Sequence, residues 1–127
     1  MMNTQQNNTT FYSMGIAPKI IETLEQLKFV TPTPIQLKAI PLGLDGQDVI
    51  GVAQTGTGKT FAFGIPMIQK LAHGSGRGLV LVPTRELAIQ VDESLRKIGR
   101  PLGIRTAVLI GGASMSNQIQ SIKRNPH

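Results

Sequence analysis

The run Asp48-Val49-Ile50-Gly51-Val52-Ala53-Gln54-Thr55-Gly56-Thr57-Gly58-Lys59-Thr60 decides the fold. Its first half is short, apolar and rich in β-branched residues, and it breaks into a glycine-rich turn, which predicts a buried strand over 48–53. Gly58 to about Leu71 then reads as a helix weakened by Gly64 and Pro66. Working outward, Leu79-Val80-Leu81-Val82 is a second expected strand, reached through the flexible stretch 73–78. Thr84 opens a helix whose face carries Leu87, Val91, Leu95 and Ile98 and which Pro101 and Gly103 stop. A third strand is expected at 106–110, and Ile119 with Ile122 marks a last helix. Upstream, Ile20, Leu24 and Leu27 follow Pro18 at helical spacing, and Thr33 caps a second helix with Pro34 in its first turn, ended or bent near Pro41 and Gly43. Strands alternating with helices imply parallel βαβ units and an open α/β sheet that binds ligands at the carboxyl ends of its strands.

The strand–loop–helix context gives the glycine-rich turn a chemistry. Glycines allow successive backbone N–H groups to curl around a phosphate, and the helix N-terminus adds partial positive charge. Lys59 is placed to reach β- and γ-phosphates, and Thr60 to offer its hydroxyl to Mg²⁺. The competing reading is a glycine-rich turn with a solvated lysine. Phosphate binding alone does not separate kinases, GTPases, transporters and helicases. The general pattern also wants glycine where Ala53 stands.

Composition narrows the class. The 127 residues are 40% hydrophobic, enough for one modest globular domain. Thirteen Lys and Arg against seven Asp and Glu leave a formal charge of +6, which suits a polyanion and equally a merely soluble basic protein. Without cysteine there is no disulfide, thiolate nucleophile or Cys-based zinc site, and His73 and His127 are too few for a metal cage. The polar leader 1–10 has no signal-peptide pattern and no apolar run is long enough to cross a bilayer, so a cytoplasmic location and no membrane partner are expected.

A further segment, Phe29-Val30-Thr31-Pro32-Thr33-Pro34-Ile35-Gln36, forms a T-x-x-Q capping box on its structural reading. On a functional reading the Gln36 amide matches the donor and acceptor of adenine. Here the chain closely resembles the DEAD-box family of ATP-dependent RNA helicases. Its Q motif is matched by Phe29 through Gln36, with Phe11 at the upstream aromatic position and with Lys28 where the family commonly has glycine. Its motif I, A-x-T-G-x-G-K-T, is matched by Ala53, Thr55, Gly56, Gly58, Lys59 and Thr60, so the alanine becomes a signature. Pro83-Thr84-Arg85-Glu86-Leu87-Ala88-Ile89-Gln90 matches motif Ia, and Gly111-Gly112 the GG element.

The resemblance implies a RecA-like P-loop domain over 11–127, an open parallel sheet with flanking helices that is incomplete in this chain. It implies ATP or ADP with Mg²⁺ as cofactors, held by Phe11, Phe29, Gln36, Thr55, Gly56, Thr57, Gly58, Lys59 and Thr60, with Lys59 and Thr60 serving catalysis. It implies an RNA-backbone track, for single or duplex strands, at Pro83, Thr84, Arg85, Gly111 and Gly112. Bottom-up chemistry agrees: Thr84 caps a helix whose first N–H groups can face a phosphate, Arg85 adds a fork of donors, and glycines allow close approach. No Asp-Glu-Ala-Asp sequence is present. A chain that binds without turning ATP over, and that self-associates through an incomplete sheet, is therefore expected. The alternatives are a stand-alone nucleotide- or RNA-binding module and a small P-loop kinase, against which Gln36 and the PTREL run speak.

Overall fold

The computed structural model describes residues 10–127, so the expected leader lies outside the described residues apart from Thr10. A 3₁₀ turn at Phe11–Ser13 precedes five α-helices: α1 Pro18–Gln26, α2 Pro34–Leu44, α3 Lys59–Ala72, α4 Arg85–Gly99 and α5 Met115–Lys123. A second 3₁₀ turn, Arg100–Leu102, follows α4 and ends at Gly103 with φ 74°.

Local chemistry sets the helix ends. Pro18 starts α1, where its missing N–H would be unpaired anyway. The helix closes with Lys28 N–H donating to Glu25 C=O at 2.9 Å and Phe29 N–H to Leu24 C=O at 2.8 Å, the paired bonds of a Schellman motif. Lys28 takes φ 63°, the left-handed conformation that glycine adopts without cost. The expected turn therefore forms although a lysine occupies it. Thr84 caps α4 by accepting from Leu87 N–H at 3.2 Å, and Ser114 caps α5 by accepting from Asn117 N–H.

Helices α2 and α3 end close to where the sequence places their ends, with their breakers inside them. α2 continues through Pro41 to Leu44, and α3 runs unbroken through Gly64 and Pro66. Packing explains both. A Cβ on Gly43 would stand 2.9 Å from Pro66 Cβ and Cγ, so the bare glycine of α2 receives the proline ring of α3. A Cβ on Gly64 would stand 2.6 Å from Leu95 Cδ2, so α3 and α4 touch at that point. The tertiary contact outweighs the roughly 1 kcal/mol that an interior glycine costs a helix.

The core is helical. Ile20 and Leu24 of α1, Ile40 of α2, Ile65 and Ile68 of α3 and Ile98 of α4 are its fully buried side chains, joined by Phe11, Met14, Ile16, Val91, Leu95 and Ile104. At about 1.5–3 kcal/mol for each large aliphatic group, this burial is the main term holding α1 to α4 together.

The open sheet expected from the sequence is not seen as a ladder. Among the described residues no strand forms: 48–53, 79–82 and 106–110 are non-helical segments without a ladder. Ile50 is 96% exposed and Val52 90%, where buried positions were expected. A strand exists only when its N–H and C=O groups meet a neighbour about 4.8 Å away, and here no such neighbour stands between these segments. The one backbone link between the second and third segments is at their edge. There His127 N–H donates to Arg105 C=O at 2.8 Å, and His127 C=O accepts from Gly78 N–H at 2.7 Å. Beyond it lies an open apolar groove of about 620 Å³ between 78–85 and 104–111.

Candidate nucleotide and RNA site

The site begins at the junction of α2 and α3. Gly56 has φ 79° and Gly58 φ 82°, so the loop makes two left-handed steps before Lys59 opens α3. Both are conformations that an L side chain resists. Thr57 Oγ1 donates to Gln54 C=O and tightens the turn between them. Lys59 Nζ donates to Ala53 C=O at 2.6 Å, so the ammonium bends back across the loop. Its charge thereby lies over the cradle that the glycines form. Thr55 sits in the exposed turn, and Thr60 is the second residue of α3, half-buried beside that cradle.

Gln36 ties the other half of the site to this loop. It is 4% exposed, and its Oε1 accepts from Thr33 N–H at 3.0 Å while its Nε2 donates to Gly58 C=O at 3.1 Å. The expected capping box is present in outline, with the Thr33 side chain facing the Gln36 backbone and the Gln36 side chain on the Thr33 backbone. The reciprocal bond to Thr33 Oγ1 does not close to hydrogen-bond geometry, and that oxygen is buried without a partner. A Cβ on Gly58 would fall against Gln36 Nε2, so the glycine is required by space as well as by φ.

The aromatic residues divide. Phe29 is 41% exposed and meets Phe61 of α3 edge to face, with centroids 5.1 Å apart. Phe11 is 3% exposed and belongs to the core, which leaves almost no ring surface to stack on a base. Phe29 and Phe61 are thus the aromatic pair with open surface beside Gln36 and the loop. Nothing local pointed to Phe61, because its partner Phe29 lies 32 residues away, in the loop between α1 and α2.

A second cluster brings together segments far apart in sequence. Arg85, the first residue of α4, directs its guanidinium at Gly111 and Gly112, beside Pro83 and Thr84 at the mouth of the groove. Gln118 of α5 holds the glycine segment in place. Its Oε1 accepts from Ile110 N–H at 2.8 Å, and its Nε2 donates to Ile110 C=O at 3.1 Å and to Ala113 C=O at 3.3 Å. Gln118 was not anticipated either, since nothing local distinguishes it from any solvated helix glutamine.

With two phosphate-suited loops of this geometry in place, comparison with known proteins becomes informative. A sequence profile described as DEAD/DEAH box helicase matches residues 33–127. The chain belongs to the DEAD/DEAH box helicase family. It is 45% identical over 126 residues to ATP-dependent rRNA helicase RRP3 of Yarrowia lipolytica, covering 98% of this chain and 26% of that protein. It is 49% identical over 120 residues to ATP-dependent RNA helicase CshA of Listeria monocytogenes, covering 93% of this chain and 23% of that protein. The chain thus spans about a quarter of the length of these helicases. Its fold matches a DEAD box protein of Methanococcus jannaschii with TM-score 0.82 and 33% identity, over 88% of this chain and 31% of that one. It also matches the RNA helicase Prp28 of Chaetomium thermophilum, solved with ADP, with TM-score 0.81 and 34% identity, over 90% of this chain and 30% of that one. Among the described residues no helix is long and apolar enough to cross a membrane.

Proposed function

We propose that this chain is the nucleotide-binding and RNA-contacting part of an ATP-dependent RNA helicase core. The whole protein would use ATP binding and hydrolysis to clamp, bend and locally separate RNA strands. The observation that carries the reading is the Gln36 bond to Gly58, which joins a base-reading amide to a phosphate-holding loop. Adenine and the phosphates of one nucleotide can then be read together.

In this reading Lys59 leaves Ala53 C=O for the β- and γ-phosphates, and the N–H groups of 56–60 surround them. Thr60 would hold Mg²⁺, which when bound neutralises phosphate charge. Among the described residues no three His, Cys, Asp or Glu side chains converge on a metal position, so Mg²⁺ would arrive with the nucleotide. Phe29 and Phe61 would flank the base, and Phe11 would have to leave its buried position to pack on it. Thr84, Arg85, Gly111 and Gly112 would follow the RNA backbone and not its sequence. The three extended segments would be strands of a RecA-like parallel sheet. With no Asp-Glu-Ala-Asp carboxylates to hold Mg²⁺, this chain alone would bind ATP without turning it over.

Calorimetric titration with ATP, ADP and GTP in Mg²⁺ tests the site. Adenine nucleotides should bind with GTP at least about tenfold weaker, a difference of one lost bidentate contact. Lys59→Ala should abolish binding. Equal affinity for GTP would remove the adenine role of Gln36, and silence with every nucleotide would remove the site.

A further inference from the structure

We infer that Gly112 is a positioning residue whose missing side chain is the seat of the Arg85 guanidinium. The inference rests on the RNA-track reading for its consequence, but its geometry stands independently. A Cβ on Gly112 would lie 2.7 Å from Arg85 Nη1 and 3.3 Å from its Cζ. The neighbouring glycine is not used in this way, because a Cβ on Gly111 would meet only Arg85 Nη2 at an ordinary 4.0 Å. The two glycines therefore have different duties.

Nothing else grips the guanidinium. Arg85 makes no ion pair and no hydrogen bond among the described residues, and as the first residue of α4 it places a cation at the end of the helix where the macrodipole opposes it. An exposed arginine in that position normally samples many rotamers, at a cost when one is fixed. What narrows it here is contact with bare backbone at Gly112, which itself takes φ 81°. That backbone is held from both sides, since Gln118 bonds to Ile110 before the glycines and to Ala113 after them. Arg85 is thus held against a fixed surface while its five N–H donors stay unspent. A phosphate meeting it would find donors already aimed, with less entropy to lose on binding.

The test uses the full chain and two readouts. The first is the heteronuclear NOE of Arg85 Nε, which reports the order of its side chain without any ligand. In the parent chain it should be close to that of the backbone. It should fall in Gly112→Asn, which tolerates positive φ while filling the seat, and stay high in Gly111→Ala. The second is fluorescence anisotropy with a labelled oligouridylate. Arg85→Ala should weaken binding about tenfold, as loss of a charged phosphate contact does, and Gly112→Asn about as much. The double variant should fall within about twofold of Arg85→Ala alone, because both changes remove one interaction.

A high NOE retained in Gly112→Asn, or a low one in the parent chain, would overturn the seat. So would losses that multiply in the double variant, which would mean that Gly112 meets RNA by itself. If the NOE follows the expected pattern while Arg85→Ala leaves RNA binding unchanged, the seat stands and the RNA-track reading falls.

Discussion

Gln36 and Gln118 share a habit that matters at the scale of single residues: each gives its amide oxygen to a backbone N–H and its amide nitrogen to a backbone C=O. Gln69 does the same, accepting from Ala17 N–H at 2.8 Å and donating to Gly15 C=O at 3.2 Å. A side-chain amide has the donor–acceptor pair of a peptide group, so each glutamine supplies what a missing backbone neighbour would supply. A carboxylate cannot, because it accepts only. Gln118→Glu should therefore set an oxygen against Ile110 C=O and lower stability by about 1–3 kcal/mol, read as a shifted urea midpoint at neutral pH. Gln118→Ala should cost less, since it leaves the exposed carbonyl to water. An equal loss in the two variants would show that packing, and not the amide, anchors α5.

Helices and extended segments differ in what a linear reading can see. The helix starts at Pro18, Pro34 and Arg85 were legible because their signals, a capping threonine or an N1 proline, lie within a few residues of the effect they produce. The same holds for the glycine-rich turn before α3, where the glycine spacing and Lys59 are contiguous. Pairing of 48–53, 79–82 and 106–110 depends on partners far away, so apolar β-branched patterning predicted a tendency and not a ladder. Gly64 and Gly43 were read as weak points because their partners, Leu95 and Pro66, are on other helices. Gly64→Ala should consequently destabilise by about 1–3 kcal/mol through overpacking, despite the better helix propensity of alanine. Leu95→Ala in the same chain should recover part of that loss in a double-mutant cycle, and strict additivity would contradict the α3–α4 contact. At the end of α1 the expectation runs the other way. Lys28→Gly should raise stability by roughly 1 kcal/mol by relieving the left-handed lysine, measured by chemical denaturation.

On the scale of the whole molecule, a helical core is joined to three extended segments that form no ladder with one another. Ile50, Val52, Leu79, Leu81 and Leu109 are all exposed on them. Open edges with apolar side chains recruit other strands. Sedimentation velocity should accordingly show weight-average mass rising with concentration, and lysine at both Ile50 and Val52 should suppress the rise. A monodisperse monomer at all concentrations would mean that the edges are closed in solution.

The Gln36 amide bridges two segments of the molecule that are 22 residues apart in sequence, and it does so with one of the two N–H donors on its nitrogen. In the proposed nucleotide complex the second N–H would meet the base while the first keeps Gly58 C=O, so base and phosphate loop would share one amide. Base affinity and loop conformation would then be two faces of one equilibrium. By thermodynamic reciprocity, whatever stabilised the phosphate-ready loop would, in the proposed complex, strengthen adenine binding by the same factor. The selectivity of such a site is then not a fixed property of its pocket but a quantity that rises and falls with the state of the loop.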